Sequence, residues 1–471
     1  MTTSLSRQLG FFSATALVIS NMIGTGIFAT TGFMAGDLGA AKWIILIWLL
    51  GGIFALCGAL SYAELSINFP KSGGEYVYLR EAYSPAWGFV SGWISFFAGF
   101  SAPIAAAAIA FAEYVATLFP GLKTNTPVWR LGLGDFTFEV GGVQLLAASL
   151  IALCALLNYF GIGRVARIQN FLTGTKLVVL FGFIALAVIA GHGNWDNLQQ
   201  SVERTSSYSL PIQLVISTLW VMFSYSGWNA ATYVAEEVRT PEKTLPLALA
   251  AGTIIVMVLY LALNLIFIYS TPLDSMKGVL SVGSLSAVNL FGHQAGNLFA
   301  ALMALAIIST VNAMVTIGPR IYFAMARDRA FFPSAAKLHP RWQTPIVAII
   351  CQAVCAIAMT FTPFPQLILY IGFSLTIFST LGVGSVLIFR RRAGWQNLKY
   401  LSFGYPLIPA LYLVAGTTMV VYGLIWQPAA SLASILTIIT GVIGWVYFSG
   451  SGKAKYLEFI RRWKPTKREL E

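Results

Sequence analysis

The sequence predicts an all-α integral membrane protein with twelve transmembrane helices, ten of which form two inverted repeats of five, with the first and sixth helices broken. Three observations lead there. The 471 residues are 57% hydrophobic and only 10% charged, whereas soluble domains run nearer a quarter charged. Twelve segments carry the ~20 mostly apolar residues that a bilayer-crossing helix needs. Two of those segments are interrupted by glycines and small polar residues at matching places.

The spans lie near 11–34, 43–66, 86–118, 142–160, 168–190, 212–235, 246–270, 297–325, 344–362, 366–389, 405–426 and 430–449. Arg390, Arg391 and Arg392 separate the tenth from the eleventh, and the last two nearly touch at Gln427 and Pro428, which predicts a tight hairpin. Forty-three glycines and 14% aromatics suit packed membrane helices, where glycine lets backbones approach and Trp and Tyr sit at interfaces. Arg7 precedes the first span, but no small-residue cleavage site follows it, so the segment reads as a helix rather than a signal peptide.

The net charge of +12 would suggest nucleic acid in a soluble protein. Here its placement decides its meaning, and no nucleic-acid partner is expected. With the N-terminus inside, the cytoplasmic segments hold Arg7; Lys71 and Arg80; Arg164 and Arg167; Arg239 and Lys243; the basic cluster from Arg320 to Arg341; Arg390 to Lys399; and the tail from Lys453 to Arg468. The outer loops hold only Lys42, Lys123, Arg130, Arg204 and Lys277. The positive-inside rule therefore puts both termini in the cytoplasm of a multi-pass protein of the cell (inner) membrane. The basic tail reads as an interfacial anchor on the lipid bilayer.

The first span reads VISNMIGTGIFATTG and the sixth WVMFSYSGWNAATYVAEE. Asn21, Gly24, Thr25 and Gly26 interrupt one; Ser224, Ser226, Gly227 and Asn229 interrupt the other. Unwound backbone at membrane depth is tolerated only where protein or a water-filled cavity surrounds it. Paired breaks in two halves point to a transporter's substrate site. Breaks in spans one and six make the repeat five helices, and an odd unit emerges inverted in its second copy. The chain divides accordingly into a cytoplasmic N-terminal segment 1–10, a first repeat 11–190, a second repeat 212–389, an appended pair 405–449 and a basic tail 450–471. GTGIFATTG lacks the spacing and the preceding strand of a nucleotide loop.

The four cysteines, Cys57, Cys154, Cys351 and Cys355, fall in apolar segments without a CxxC or Cys/His cluster, so no disulfide framework, metal or other cofactor is indicated. No HExxH or GxSxG motif lies on a span, which argues against an intramembrane enzyme. No filter-like re-entrant segment suggests a pore. No appended soluble domain would relay a signal from a non-transporting sensor.

These motifs together make the chain recognisable. IGTGIF at 23–28, YAELSINFPKSGGEYVYL at 62–79, IQNFLTGTKL at 168–177, FSYSGWN at 223–229, EEVRTPEKTLP at 236–246 and VNAMVTIGPRIYFAMARD at 311–328 resemble the amino acid–polyamine–organocation superfamily, which has the leucine-transporter (LeuT) fold. The likeness covers the first ten spans and is greatest to bacterial relatives of the L-type amino acid transporters. It implies alternating-access transport of amino acids, either by sodium-independent exchange or by proton-coupled uptake, with neutral substrates favoured because no clear acidic residue sits at the presumed pocket. A cationic amino acid or polyamine antiporter of the same superfamily is the alternative, and a carboxylate facing the cavity would favour it. The eukaryotic light chains carry a cysteine in the loop after the third span, which links them to a glycoprotein partner. The loop at 120–141 has none, so no disulfide-linked heavy chain is expected.

A zwitterion needs its carboxylate and ammonium met separately. Backbone N–H groups freed at Thr25, Gly26 and Ile27 would form a positive helix N-terminus for the carboxylate. The resemblance implies that the Met22 carbonyl and those near Phe223 and Ser226 accept from the ammonium, that Phe223 is a bulky lid and that Asn229 is a short polar hook. Trp228 lines the pocket or packs at the lipid interface. Lys176 lies nine positions past Arg167, which at about 1.5 Å per residue places it some 13 Å deep. That is too deep for easy snorkelling, and an ionisable residue there is a functional candidate. In the resembled family the matching lysine stands where sodium-coupled relatives hold their cation, which implies sodium independence; proton coupling and a purely structural role stay open. Glu64, Glu75, Glu236, Glu237 and Arg239 read as inner-gate salt bridges and helix caps. Arg320, after Pro319, reads as snorkelling.

Overall fold

The computed structural model describes residues 7–122, 129–133, 136–279, 281–397 and 404–449. The tail from Lys453 onward, Lys123 and Lys399 lie outside them.

The apolar runs become helices because a chain crossing hydrocarbon must satisfy every backbone polar group within its own segment. The first span is two helices, α1 (Phe11–Met22) and α2 (Gly26–Leu38). Then follow α3 (Ala41–Asn68) and a short connecting helix, α4 (Glu75–Ala82). The third span is α5 (Pro85–Ile94), a π-helical stretch at Ser95–Ser101 and α6 (Ala102–Leu118). The sequence reading took that span as unbroken; the wider π turn is a second kind of interruption, of the sort that often marks functional sites. An antiparallel hairpin, β1 (Trp129–Leu133) and β2 (Phe136–Val140), occupies the next loop, with Trp129 opposite Val140. It went unseen in the sequence because the helix pattern gives no hint of it.

α7 (Gly142–Tyr159) and α8 (Ile162–Ala190) complete the first half. The second opens with α9 (Leu210–Ser224), a break, and a 3₁₀ stretch, Ala230–Glu237. α10 (Pro241–Ser270), α11 (Leu273–Met276), α12 (Val282–Phe291) and α13 (His293–Arg327) come next. α14 (Ile346–Met359), α15 (Phe364–Phe389), α16 (Leu407–Trp426) and α17 (Pro428–Ser449) end the described chain. Among the described residues nine helices are long and apolar enough to cross a membrane, counting Pro85–Leu118 as one. The two helices of each broken span, and α14, are shorter.

Spans at equal positions in the two halves pack on each other: the first on the sixth through α2 and α9, the second on the seventh through α3 and α10, and the third on the eighth through α6 and α13. A two-fold axis between inverted halves produces such pairing. α1 and α2 lie within this core, and α13 is buried along most of its length. α16 and α17 lean on α15 with much of their outer faces exposed, as lipid-facing helices do.

Candidate functional site

The two breaks interlock. Gly24 N–H folds back onto the Met22 carbonyl at 2.8 Å, ending α1, and α2 restarts at Gly26. Gly26 is pressed onto the end of α9: a Cβ there would stand 2.3 Å from Ser224 Oγ and 2.7 Å from Ser224 Cα. In return, Gly227 takes φ +97°, and its Cβ would fall 2.3 Å from Asn21 Nδ2. Only glycine suits both positions, one for space and the other for space and dihedral.

Each freed backbone group then finds a partner or lacks one. Tyr260 of α10 donates its hydroxyl to the Met22 carbonyl at 2.6 Å and to the Ser224 carbonyl at 3.0 Å. Lys176, 1% exposed, donates to the Ile23 carbonyl at 2.9 Å and to Thr310 Oγ1 at 2.8 Å. Thr310 itself donates to the Ile23 carbonyl at 2.6 Å. The ammonium thus ties α8 to the first break and to α13. Among the described residues no backbone acceptor pairs with the N–H groups of Thr25, Gly26 and Ile27, which leaves them free to meet an anion.

Beside the breaks lies a cavity of about 50 Å³, room for a few waters. Its walls are Asn21 of α1; Gly99, Phe100 and Pro103 around the π turn; Phe223, Ser226, Gly227, Trp228 and Asn229 of the second break; Met314 of α13; and Gly372, Leu375, Thr376 and Ser379 of α15. Met222, Glu75, Tyr233 and Tyr412 complete the lining. Of the residues expected at the site, Phe223, Ser226 and Asn229 line this cavity. Met22, Thr25, Gly26 and Ile27 do not; they sit behind it, buried among α9, α10 and α13. The Met22 carbonyl faces Tyr260. Trp228, left open between pocket and lipid, is buried against Tyr62 with ring centroids 4.7 Å apart.

Glu75 was read as a gate salt bridge or cap, and the structure corrects this. Its carboxylate is buried and accepts from Tyr62 (2.9 Å), Asn229 (2.7 Å) and Tyr233, all neutral. The side chain sits on the connecting helix α4, outside the spans; burial pushes its carboxyl upward, against hydrogen bonds from Tyr233, Tyr62 and Asn229 that pull it down. Among the described residues no Lys, Arg or His lines the cavity. The sequence reading had found no acidic residue at the pocket, and Glu75 lies there. Its only sequence signal is the pair Gly73–Gly74, whose positive φ angles turn the chain inward ahead of it.

Arg320 was expected to snorkel. Instead it is 1% exposed and pairs with Glu237 at 2.8 Å, inside the protein. Glu64 does form a salt bridge, with both oxygens on Arg390 at 2.7 and 2.6 Å. Glu236 likewise takes both arms of Arg327, at 3.0 and 2.6 Å. Arg239 is exposed and gives its backbone N–H to Leu9.

A polar column between α1, α7, α8 and α13 was also missed. Ser20 joins Thr173 (2.6 Å) and Ser309 (2.8 Å); Gln169 joins Ser309 and Asn312; Asn312 joins Asn158, which joins Thr316. Arg320 donates to the Thr316 carbonyl and so ends the column on its ion pair. These residues recur every three or four positions on apolar helices, the signal that would have found them.

A family model described as amino acid permease matches residues 9–449. Among curated proteins, the serine/threonine exchanger SteT of Bacillus subtilis (strain 168) is 30% identical over 464 residues, spanning 96% of this chain and 98% of its own. The large neutral amino acids transporter small subunit 2 of Homo sapiens is 26% identical, over 95% of this chain and 81% of its own. The human cystine/glutamate transporter is 28% identical, over 94% and 85%.

Proposed function

This chain belongs to the amino acid permease family, and from that premise we propose that it exchanges or takes up neutral amino acids independently of sodium. The family makes it a membrane transporter of amino acids rather than an enzyme. The described helices read as twelve passes in a five-plus-five inverted repeat, with both termini in the cytoplasm of the cell membrane. Two relatives named for neutral substrates, serine/threonine and large neutral amino acids, support the neutral reading, while a cavity without cationic side chains among the described residues disfavours only substrates with an anionic side chain. The free N–H groups of Thr25, Gly26 and Ile27 are the carboxylate's partners, reached once the narrow cavity widens around a substrate. Phe223 and Asn229 lie on its wall as lid and hook. No cysteine lies in the loop at 120–141, which supports a transporter that works without a disulfide-linked heavy chain.

The observation that carries sodium independence is the position of Lys176 Nζ, bonded to the broken first span and to α13. A fixed ammonium there supplies the positive charge that a bound cation would bring. Exchange by reconstituted vesicles is expected to be equal in sodium and choline media; a requirement for sodium would overturn the role of Lys176. Glu75 at the cavity favours a second reading, a cationic amino acid or polyamine carrier. Thermal stabilisation of the purified protein separates the two, since a ligand bound by the folded state alone raises its melting temperature. Alanine, threonine and leucine are expected to stabilise it and arginine, ornithine and putrescine are not; the reverse pattern would establish the second reading.

A further inference from the structure

The cavity is lined in part by an anion that the transport scheme above leaves unused. Glu75 opens α4 directly behind Gly74, where a Cβ would lie 2.4 Å from the Tyr233 ring, so the short helix is pressed against the 3₁₀ stretch of span six. An ionised carboxylate offers about four acceptor sites. Three are filled: Oε1 takes Tyr62 and Asn229, and Oε2 takes Tyr233. One site on Oε2 is left. Tyr78 and Tyr412, the further titratable groups near the carboxylate, carry no positive charge either. On the same cavity, the buried Asn21 Oδ1 has no hydrogen-bond donor among the described residues. A buried acceptor left without a donor is costly. The cavity therefore presents unfilled acceptors, and a ligand that settles there must bring the donors.

We propose that Glu75 is a specificity-determining residue, accepting a hydrogen bond from a hydroxyl on the substrate's short side chain. This rests on the amino acid transport reading and narrows its substrate class. The cavity is narrow, about 50 Å³, and a short side chain asks it to widen least. Three neutral donors already share the carboxylate's charge, so a single hydroxyl completes its shell without burying a second ion. A site built to bond a substrate hydroxyl rejects the isostere that lacks it, because its own polar group is then stranded.

Threonine and valine differ in shape by little more than that hydroxyl. Affinities of the purified protein for threonine, valine and alanine, from thermal shift and from competition for exchange in vesicles, test the proposal. Wild type is expected to prefer threonine to valine by about tenfold or more. Glu75→Gln, which keeps shape but removes the charge that strengthens the bond, is expected to cut that ratio at least about threefold, with a smaller loss for alanine. Glu75→Asp, which keeps the charge, is expected to hold more of the ratio than Glu75→Gln and guards against a variant that fails to fold. Equal affinity for threonine and valine in wild type, or an unchanged ratio in Glu75→Gln, would overturn the proposal. If alanine, threonine and valine all fail to bind wild type, the amino acid reading itself falls, a separate and distinguishable result.

Discussion

The two broken spans look alike in sequence and are used differently. At the first break the freed carbonyls are held by protein: Tyr260 fills that of Met22, Lys176 and Thr310 fill that of Ile23, and Ser224 abuts Gly26. The second break faces the cavity with Ser226, Gly227, Trp228 and Asn229. One break is a buttressed hinge point and the other a wall. The same composition serves both because a broken helix needs partners for its freed groups, whether they come from neighbouring helices or from a ligand. Mutations at the first break are therefore expected to disturb architecture and coupling, with affinity falling alongside, and those at the second to disturb substrate affinity alone.

The largest expected effect tests the buttress. Lys176→Ala removes the donor that joins α8 to the first break, and hydrogen bonds to charged groups are worth about 1.5–3 kcal/mol each. Vesicle exchange should fall about thirtyfold or more, the equivalent of ~2 kcal/mol in the barrier. Lys176→Met fills the same space without a charge, and activity near wild type in that variant would reduce the lysine to packing.

Next comes Gly26→Val, which drives a branched side chain into Ser224. Overpacking of this kind costs about 1–3 kcal/mol. The expected result is a lower melting temperature together with weaker substrate binding; wild-type melting would mean that the first span is not pinched there.

At the second break, Asn229→Ala deletes two hydrogen bonds on the wall of the cavity, to the Glu75 carboxylate at 2.7 Å and to the Tyr233 hydroxyl at 2.9 Å. Substrate affinity is expected to fall about threefold to tenfold with little change in melting. An effect on melting alone would make this residue part of the scaffold and erase the contrast between the breaks.

The smallest effect is expected from Thr25→Val. The Thr25 side chain caps nothing at the start of α2, and its backbone N–H survives the change. Melting within about 0.5 kcal/mol of wild type is the expected result. A large loss would give the hydroxyl a role that the structure does not show.

The apolar runs and paired glycine interruptions made the spans and both breaks legible in the sequence, since each follows from what hydrocarbon demands of a backbone. Lys176 was legible for the same reason, as a charge too deep to reach water. Glu75, Arg320 and the column through Gln169 and Asn312 were not read correctly. Their roles depend on which way a helix face turns and on partners far along the chain: Tyr233 and Asn229 for Glu75, Glu237 for Arg320. A carboxylate near a predicted helix end looks the same whether it meets solvent, an arginine or a cavity. The π turn at Ser95–Ser101 was hidden because its sequence marks, Gly99 and Pro103, are tolerated in ordinary membrane helices as well.

The segment leading into α1 has a mechanical consequence. Leu9 pairs as a parallel strand with Val238, so Gln8 and Leu9 donate to the Glu237 carbonyl and Arg239 donates to that of Leu9. The two broken spans are thus fastened at the breaks by their interlocked glycines and again where α1 is entered and the 3₁₀ stretch is left. Two fasteners on one pair of rods leave it little freedom to shear, so the pair should swing as a single lever. Spin labels on these two rods would keep a fixed separation through the whole cycle, while a label on α6 would drift relative to both.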